Sequence, residues 1–276
     1  MDTMPEIPMA PWRSARVLWK NRGLLWRLVE REVLGRYRGS LIGWGWTFLQ
    51  PLLMLLVYTF VFSQVFVSRW GGQQTGGPLA FAVNLFAGLV VFNLFAECTN
   101  KAPALVLDNP NYVKKVIFPL EILTGVSVAS ASFHAVTSLV ILMVFELLAF
   151  HQLPPTILLI PLVWLPLILV CLGISWVLAA LAVFLRDINQ IVQVLVTMLM
   201  FLSPVFFPIS ALPPQWRPFL SLNPMAEVIE ETRRVAIQGA LPDPIYLLAG
   251  ILGGLLVAEL GCRFFQRAKR AFADVL

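Results

Sequence analysis

The chain has 276 residues, of which 59% are hydrophobic and 13% charged, with a formal charge of +5. A soluble domain carries about 45–50% apolar and about 25% charged residues, so the apolar excess cannot all enter one core and part of it must face lipid. The basic residues sit at the ends of apolar runs rather than in a patch interleaved with aromatics, which excludes nucleic acid as the partner they serve.

Residues 1–38 are polar and Arg-rich, with no short apolar stretch and cleavage site of the kind a secretory signal needs. Within them, 22–38 reads as an amphipathic helix. At 100° per residue Leu25, Trp26, Leu28, Val29, Val33 and Tyr37 share one broad face, and Arg27, Arg31 and Arg38 converge on the other. Glu32 and Arg36 intrude on the apolar side. This pattern suits a helix lying in the cytoplasmic interface of a membrane.

Six apolar runs follow, at 39–68, 79–96, 122–145, 153–185, 188–216 and 244–258. About 20 apolar residues are needed to cross a hydrocarbon core of about 30 Å. The last run reaches that length only if its helix continues through 259–265, and Pro204, Pro208, Pro213 and Pro214 break the second half of the fifth. Backbone groups in lipid must be satisfied within a helix or a closed barrel, and the short alternating strands of a barrel do not occur. The expected fold is therefore an all-α integral membrane protein with six transmembrane helices, at 40–67, 79–99, 120–148, 154–185, 188–208 and 243–265. An outer re-entrant or helical segment occupies 209–242; it is Pro-rich, then amphipathic over 224–238, where Pro224 after Asn223 marks a helix start. Residues 266–276 form a tail. Six spans place both termini on one side. That side carries sixteen Lys and Arg against four on the other, so the positive-inside rule puts both termini in the cytoplasm.

Cys98, Cys171 and Cys262 lie in or beside apolar runs without C-x-x-C spacing, which reads as packing and not as a disulfide framework or metal site. No G-x-x-x-x-G-K-[ST] occurs, since none of the five lysines precedes Ser or Thr, and there is no H-E-x-x-H or D-x-D. The chain is thus expected to be no enzyme, to hold no metal, and not to hydrolyse ATP itself. His134 lies mid-span, where an ionisable group is a functional candidate; the plain alternative is a neutral imidazole bonded across helices. Glu97, Glu121, Glu146 and Glu259 fall near span ends, whereas a proton-driven carrier would place a carboxylate at mid-depth.

Four stretches carry a resemblance. They are R-E-V-L-G-R-Y-R-G-S-L-I-G-W-G-W-T-F-L-Q-P at 31–51, followed by Y-T-F-V-F at 58–62; N-Y-V-K-K-V-I-F-P-L-E-I-L at 111–123; F-L-R-D-I at 184–188 with L-S-P-V at 202–205; and L-N-P-M-A-E-V-I-E-E-T-R at 222–233. In this order, over nearly the whole chain, they resemble the permease subunits of bacterial ABC exporters for lipid-linked polysaccharides, the group that exports O-antigen, teichoic acid and capsule. Residues 1–19 and 70–78 match nothing in that pattern.

The resemblance implies a permease of the bacterial inner membrane that pairs with a second copy of itself and with two ATP-binding-cassette subunits. Those subunits bind ATP and Mg, and this chain holds no cofactor. It implies a lipid-linked polysaccharide substrate, O-antigen first, with membrane lipid around it. Teichoic acid, capsule or a small drug-like molecule are the alternatives within transport, and a membrane sugar transferase is the alternative outside it. The loop 108–118 looks like the coupling helix of the family, with Pro110 as a rigid start, Tyr112 as an anchor, and Lys114 and Lys115 as charges; the bare alternative is a topology signal. The first and fifth spans resemble the family's pore-lining helices, so Trp44, Trp46, Tyr58, Phe62, Phe201, Phe206 and Phe207 are candidates to line a polysaccharide channel on which sugar C–H faces slide. An interfacial aromatic belt or plain lipid contact is the other reading. Arg36 and Arg38 are candidates to receive a lipid diphosphate bidentately, or else serve as positive-inside signal. Arg186 and Asp187 read as a structural pair closing the loop between two spans.

Overall fold

The computed structural model describes residues 13–36, 38–64, 77–113, 118–207, 209, 213, 215 and 223–275. Every element among them is helical: α1 Arg13–Lys20, α2 Arg22–Arg36, α3 Trp46–Gln64, α4 Gly77–Lys101, α5 Ala104–Leu107, α6 Pro110–Val113, α7 Glu121–Phe150, α8 Ile160–Phe184, α9 Ile188–Leu202, α10 Pro224–Ala236, α11 Pro244–Ala268 and α12 Phe272–Val275. Five of these stretches are long and apolar enough to cross a membrane, over Gly43–Val61, Leu79–Lys101, Glu121–Phe150, Pro155–Phe184 and Pro244–Ala271. The sixth apolar helix, α9, has 15 residues, about 22 Å at 1.5 Å per residue. Its regular part stops at Leu202 because Pro204 disfavours helical backbone at the preceding residue; Ser203 has ψ 150° and starts an extended turn.

Local chemistry sets the other boundaries. Gly39 and Gly43 take positive φ (87° and 54°) in the turn from α2 to α3, where the Gly43 N–H donates to Ser40 Oγ at 2.9 Å. His151 caps α7 in the left-handed conformation, its N–H bonded to the Leu147 carbonyl. Asn223 and Asp243 accept from Met225 and Ile245 amides at 2.9 and 2.8 Å, with a proline next in each case, and so start α10 and α11.

Helix α4 is the centre of the bundle. Its residues from Ala82 to Val91 are buried almost without a break, and it packs on α3, α7, α8, α9 and α10. Helices α3 and α9 lie at the other extreme: Leu56, Val57 and Phe60 on one, and Val194, Leu195 and Met198 on the other, are exposed apolar positions. The tightest crossing joins α8 to α11. A Cβ on Gly173 would overlap the Val257 carbonyl, and one on Gly261 would overlap the Gly173 carbonyl oxygen. Small residues at such crossings let backbones touch, which in lipid substitutes for a hydrophobic driving force between helices.

One end of the bundle holds α1, α2, α5, α6 and α12. Ser14 donates from N and Oγ to Glu259, Lys269 bonds to Glu121 at 3.1 Å, and Leu18 packs against Gly125. Helix α2 buries Leu28, Val29 and Val33 against Ile122 and Val126 of α7. Its apolar face therefore meets protein. Trp26, expected on that face, is 70% exposed and points elsewhere; Tyr37 lies outside the described residues. The opposite end holds α10, the Pro155–Leu159 turn and the turn after α9.

Candidate functional site

A cavity of about 410 Å3 lies between α3, α4 and α7. Gln50, Tyr58, Asn93, Asn100 and Ser138 bring polar groups to it, among Met54, Phe86 and Leu89. Asn93 is the exception on a helix whose neighbours Phe92 and Leu94 are both 2% exposed: its side chain is open to the cavity. Asn100 Oδ1 and Thr47 Oγ1, on the same walls, are buried without a hydrogen-bond partner among the described residues. Orphaned buried polar atoms mark capacity for a polar ligand or water.

Charged groups close the end of this cavity. Arg36, from the last turn of α2, donates to Glu97 Oε1 at 2.6 Å. Lys101 Nζ lies 2.9 Å from the same oxygen and 3.2 Å from Glu32. His134 Nδ1 sits 3.1 Å from Glu97 Oε1 and 2.9 Å from Arg36 Nη1. The first contact needs a proton on Nδ1 and the second needs a lone pair there, so a single neutral tautomer makes one of the two bonds at a time. His134 is thus bonded across helices, within a network joining α2, α4 and α7. Ionisable groups inside a span normally pair with one another or line a water-filled path, and here they pair with one another at the end of a polar cavity.

Arg36 and Arg38 do not converge. While Arg36 turns into the network, Arg38 joins Arg27 and Arg31 along a separate groove of about 610 Å3 that Trp44 also lines. The two expected diphosphate contacts thus lie in different places: Arg36 pairs with Glu97, and Arg38 lines a groove with Arg27, Glu30, Arg31 and Trp44. Helix α2 ends at Arg36, so Arg38 lies beyond the helix that carries Arg36.

The aromatic candidates form separate groups within the chain. Trp44 meets Phe133 edge-on at 6.2 Å, Tyr58 lines the polar cavity, and Phe201 stacks on Phe206 at 6.0 Å with Phe207 half-buried beside it. Trp46 is exposed at the start of α3, and the Phe62 side chain lies outside the described residues. Arg186 and Asp187 are both exposed and form no ion pair with each other or with another described residue. The turn is closed by backbone instead, with Ile188 N donating to Leu185 O and Gln190 N to Asp187 O.

The loop at the terminal end is tied in two directions. Val106 and Leu105 pack with Trp176, Ala179 and Val183 of α8. Tyr112 stacks on Phe118 at 4.2 Å and 10°, and Arg31 Nη1 donates to its hydroxyl at 3.2 Å. Pro110 starts α6 and is exposed, whereas Lys114 and Lys115 lie outside the described residues. Packing thus joins this loop to α8, and the Arg31–Tyr112 bond joins it to α2.

Residues 23–235 match the family described as ABC-2 type transporter. The chain belongs to the ABC-2 type transporter family. Among curated proteins, this ABC-2 type transporter chain is 32% identical over 267 residues to the "O-antigen export system permease protein RfbA" of Myxococcus xanthus, covering 95% of this chain and 98% of that one. It is 23% identical to a protein of the same name from Klebsiella pneumoniae, covering 92% and 95%. It is also 24% identical to the "Polysialic acid transport protein KpsM" of Escherichia coli, covering 88% and 93%. The ABC-2 assignment makes the chain a multi-pass membrane transport subunit.

Two parts of the site were not legible as such. Glu97 stands four residues before Lys101 and reads as interfacial, yet its partners come from α2 and α7. Arg233 counts in the sequence only as one of four basic residues on the sparser side. In the fold it is 2% exposed, with Nε donating to Asn84 O, Nη2 to Val205 O and Nη1 to Glu230. Burial lowers its pKa to about 10, with Glu230 opposing the shift, so it stays charged at neutral pH. It pins α10 to α4 and to the turn after α9. The only advance signal was its place at the end of the fourth motif.

Proposed function

We propose that this chain is the permease subunit of an ATP-driven exporter that moves a lipid-linked polysaccharide, O-antigen first, out of the cytoplasm across a bacterial inner membrane. The observation that carries this is similarity over almost the whole of both chains to an O-antigen export permease. The geometry supports it. A membrane-embedded cavity lined by amides and hydroxyls suits sugar hydroxyls, and the arginine groove with Trp44 suits a phosphate followed by a sugar ring. Both termini face the cytoplasm in this reading, on the basis of the sixteen-to-four charge bias. Two copies would line the path with the exposed apolar faces of α3 and α9. Two separate ATP-binding subunits would dock at the 108–118 loop, and their motion would reach Arg36–Glu97 through Arg31 and α2.

Deleting the gene in its host tests the reading. Lipid-linked polymer should accumulate in the cytosol and vanish from the surface, and its composition names the substrate. Normal surface polymer in the deletion strain would refute the proposal. Arg27→Ala with Arg38→Ala, in a chain that still inserts, should lower export.

A further inference from the structure

A third cavity, about 560 Å3, runs between α8 and α11 and opens on the outside of the bundle, where Leu260 and Phe264 are exposed. Its floor passes over Gly173 and Gly261, where the two backbones touch. Arg263 and Arg267, one turn apart on α11, are the two polar side chains that line it. Arg263 Nε is held by Glu259 at 2.8 Å. No hydrogen bond or ion pair to a described residue engages its remaining N–H groups or any part of Arg267. Lys269, nearby, is already taken by Glu121. A guanidinium with no partner among the described residues thus stands at the end of an apolar trough. Arg267 is six residues beyond Gly261, about 9 Å along the helix, which is the separation of upper acyl chain from headgroup phosphate.

We propose that this groove binds one molecule of an anionic glycerophospholipid of the surrounding bilayer. The phosphodiester takes the arginine forks bidentately, and one acyl chain lies over the two glycines against Val177 and Val257. The transported glycolipid is not the occupant, because the groove offers no amide or hydroxyl side chain for sugar hydroxyls. Held there, the lipid covers the outer side of the α8–α11 crossing.

The test is native mass spectrometry of the whole chain purified in detergent, titrated with dioleoylphosphatidylglycerol or dioleoylphosphatidylcholine. A single phosphatidylglycerol adduct should persist where phosphatidylcholine is stripped. Arg267→Gln should weaken it about five-fold, the effect of one basic residue near a lipid surface. Arg270→Gln, an exposed charge outside the groove, should leave it unchanged, and Val177→Trp should block it. Equal binding of the two lipids, or equal effects of Arg267→Gln and Arg270→Gln, would overturn the proposal. Should Val177→Trp fail to fold, the two surface variants still decide it.

Discussion

Gly88→Ala is a one-methyl perturbation whose sign depends on a single neighbour. A Cβ at this position would lie 2.8 Å from Arg233 Nη2 and 3.4 Å from both Ile229 Cγ2 and Val205 Cα. The two 3.4 Å contacts are tolerable. The 2.8 Å contact is not, and Arg233 is 2% exposed with its other nitrogens already committed to Asn84 O and Glu230. Moving Nη2 away lengthens its 2.9 Å bond to Val205 O. Losing one charge-assisted bond costs about 1.5–3 kcal/mol, while alanine gains about 1 kcal/mol over glycine inside a helix. The net is a destabilisation of about 0.5–2 kcal/mol, which lowers an apparent melting temperature by about 1–8 °C for a chain of this size. The assay is a thermal melt of the detergent-purified chain, run also in an Arg233→Lys background. Lysine lacks the offending nitrogen, so there Gly88→Ala should be neutral or mildly stabilising. Equal falls in both backgrounds would refute the reasoning.

The remaining predictions use the same structure. Gly261→Leu should abolish accumulation of folded protein, because the new side chain meets backbone of α8, whereas Gly253→Ala, with nothing within 4 Å, should be harmless; expression followed by size-exclusion chromatography separates them. Glu146 is 1% exposed and its Oε2 has no hydrogen-bond partner among the described residues, so Glu146→Gln should leave the melting temperature unchanged or raise it, while Glu121→Gln, which loses the Lys269 pair, should lower it. Glu97→Gln should lower export, and the swap Arg36→Glu with Glu97→Arg should recover part of what either change loses, as scored by surface polymer. Tyr112→Ala should uncouple ATP hydrolysis by the partner from export without preventing assembly, since the ring bridges Arg31 and Phe118.

The helical membrane fold was legible because apolar runs of spanning length leave the backbone no other solution in lipid. The start of α10 was legible at Asn223-Pro224, where capping is local chemistry. What could not be read is which helix lies inside. Apart from Asn84, the stretch of α4 from Leu79 to Phe92 is apolar on every side, so nothing in that half distinguishes a central helix from a lipid-facing one, and only packing shows it. The face of α2 was half legible: Leu28, Val29 and Val33 are inward, but Trp26, nearly two turns before Val33 on the same side, is exposed. The site suffered most. Arg36, Glu97 and His134 are separated by 61 and 37 residues, and no spacing rule links groups brought together from three helices. Arg38, two residues from Arg36, lines a different groove, and the helix ends between them.

The central claim, that this chain is a conduit powered from outside itself, is tested most directly by reconstitution. The chain should be placed in proteoliposomes with and without its ATP-binding partner, and the appearance of lipid-linked polysaccharide on the far leaflet followed as ATP is added. Movement that needs both the partner and ATP is the expected result. Movement of the glycolipid by the chain alone would contradict it, as would ATP hydrolysis by the chain in the partner's absence.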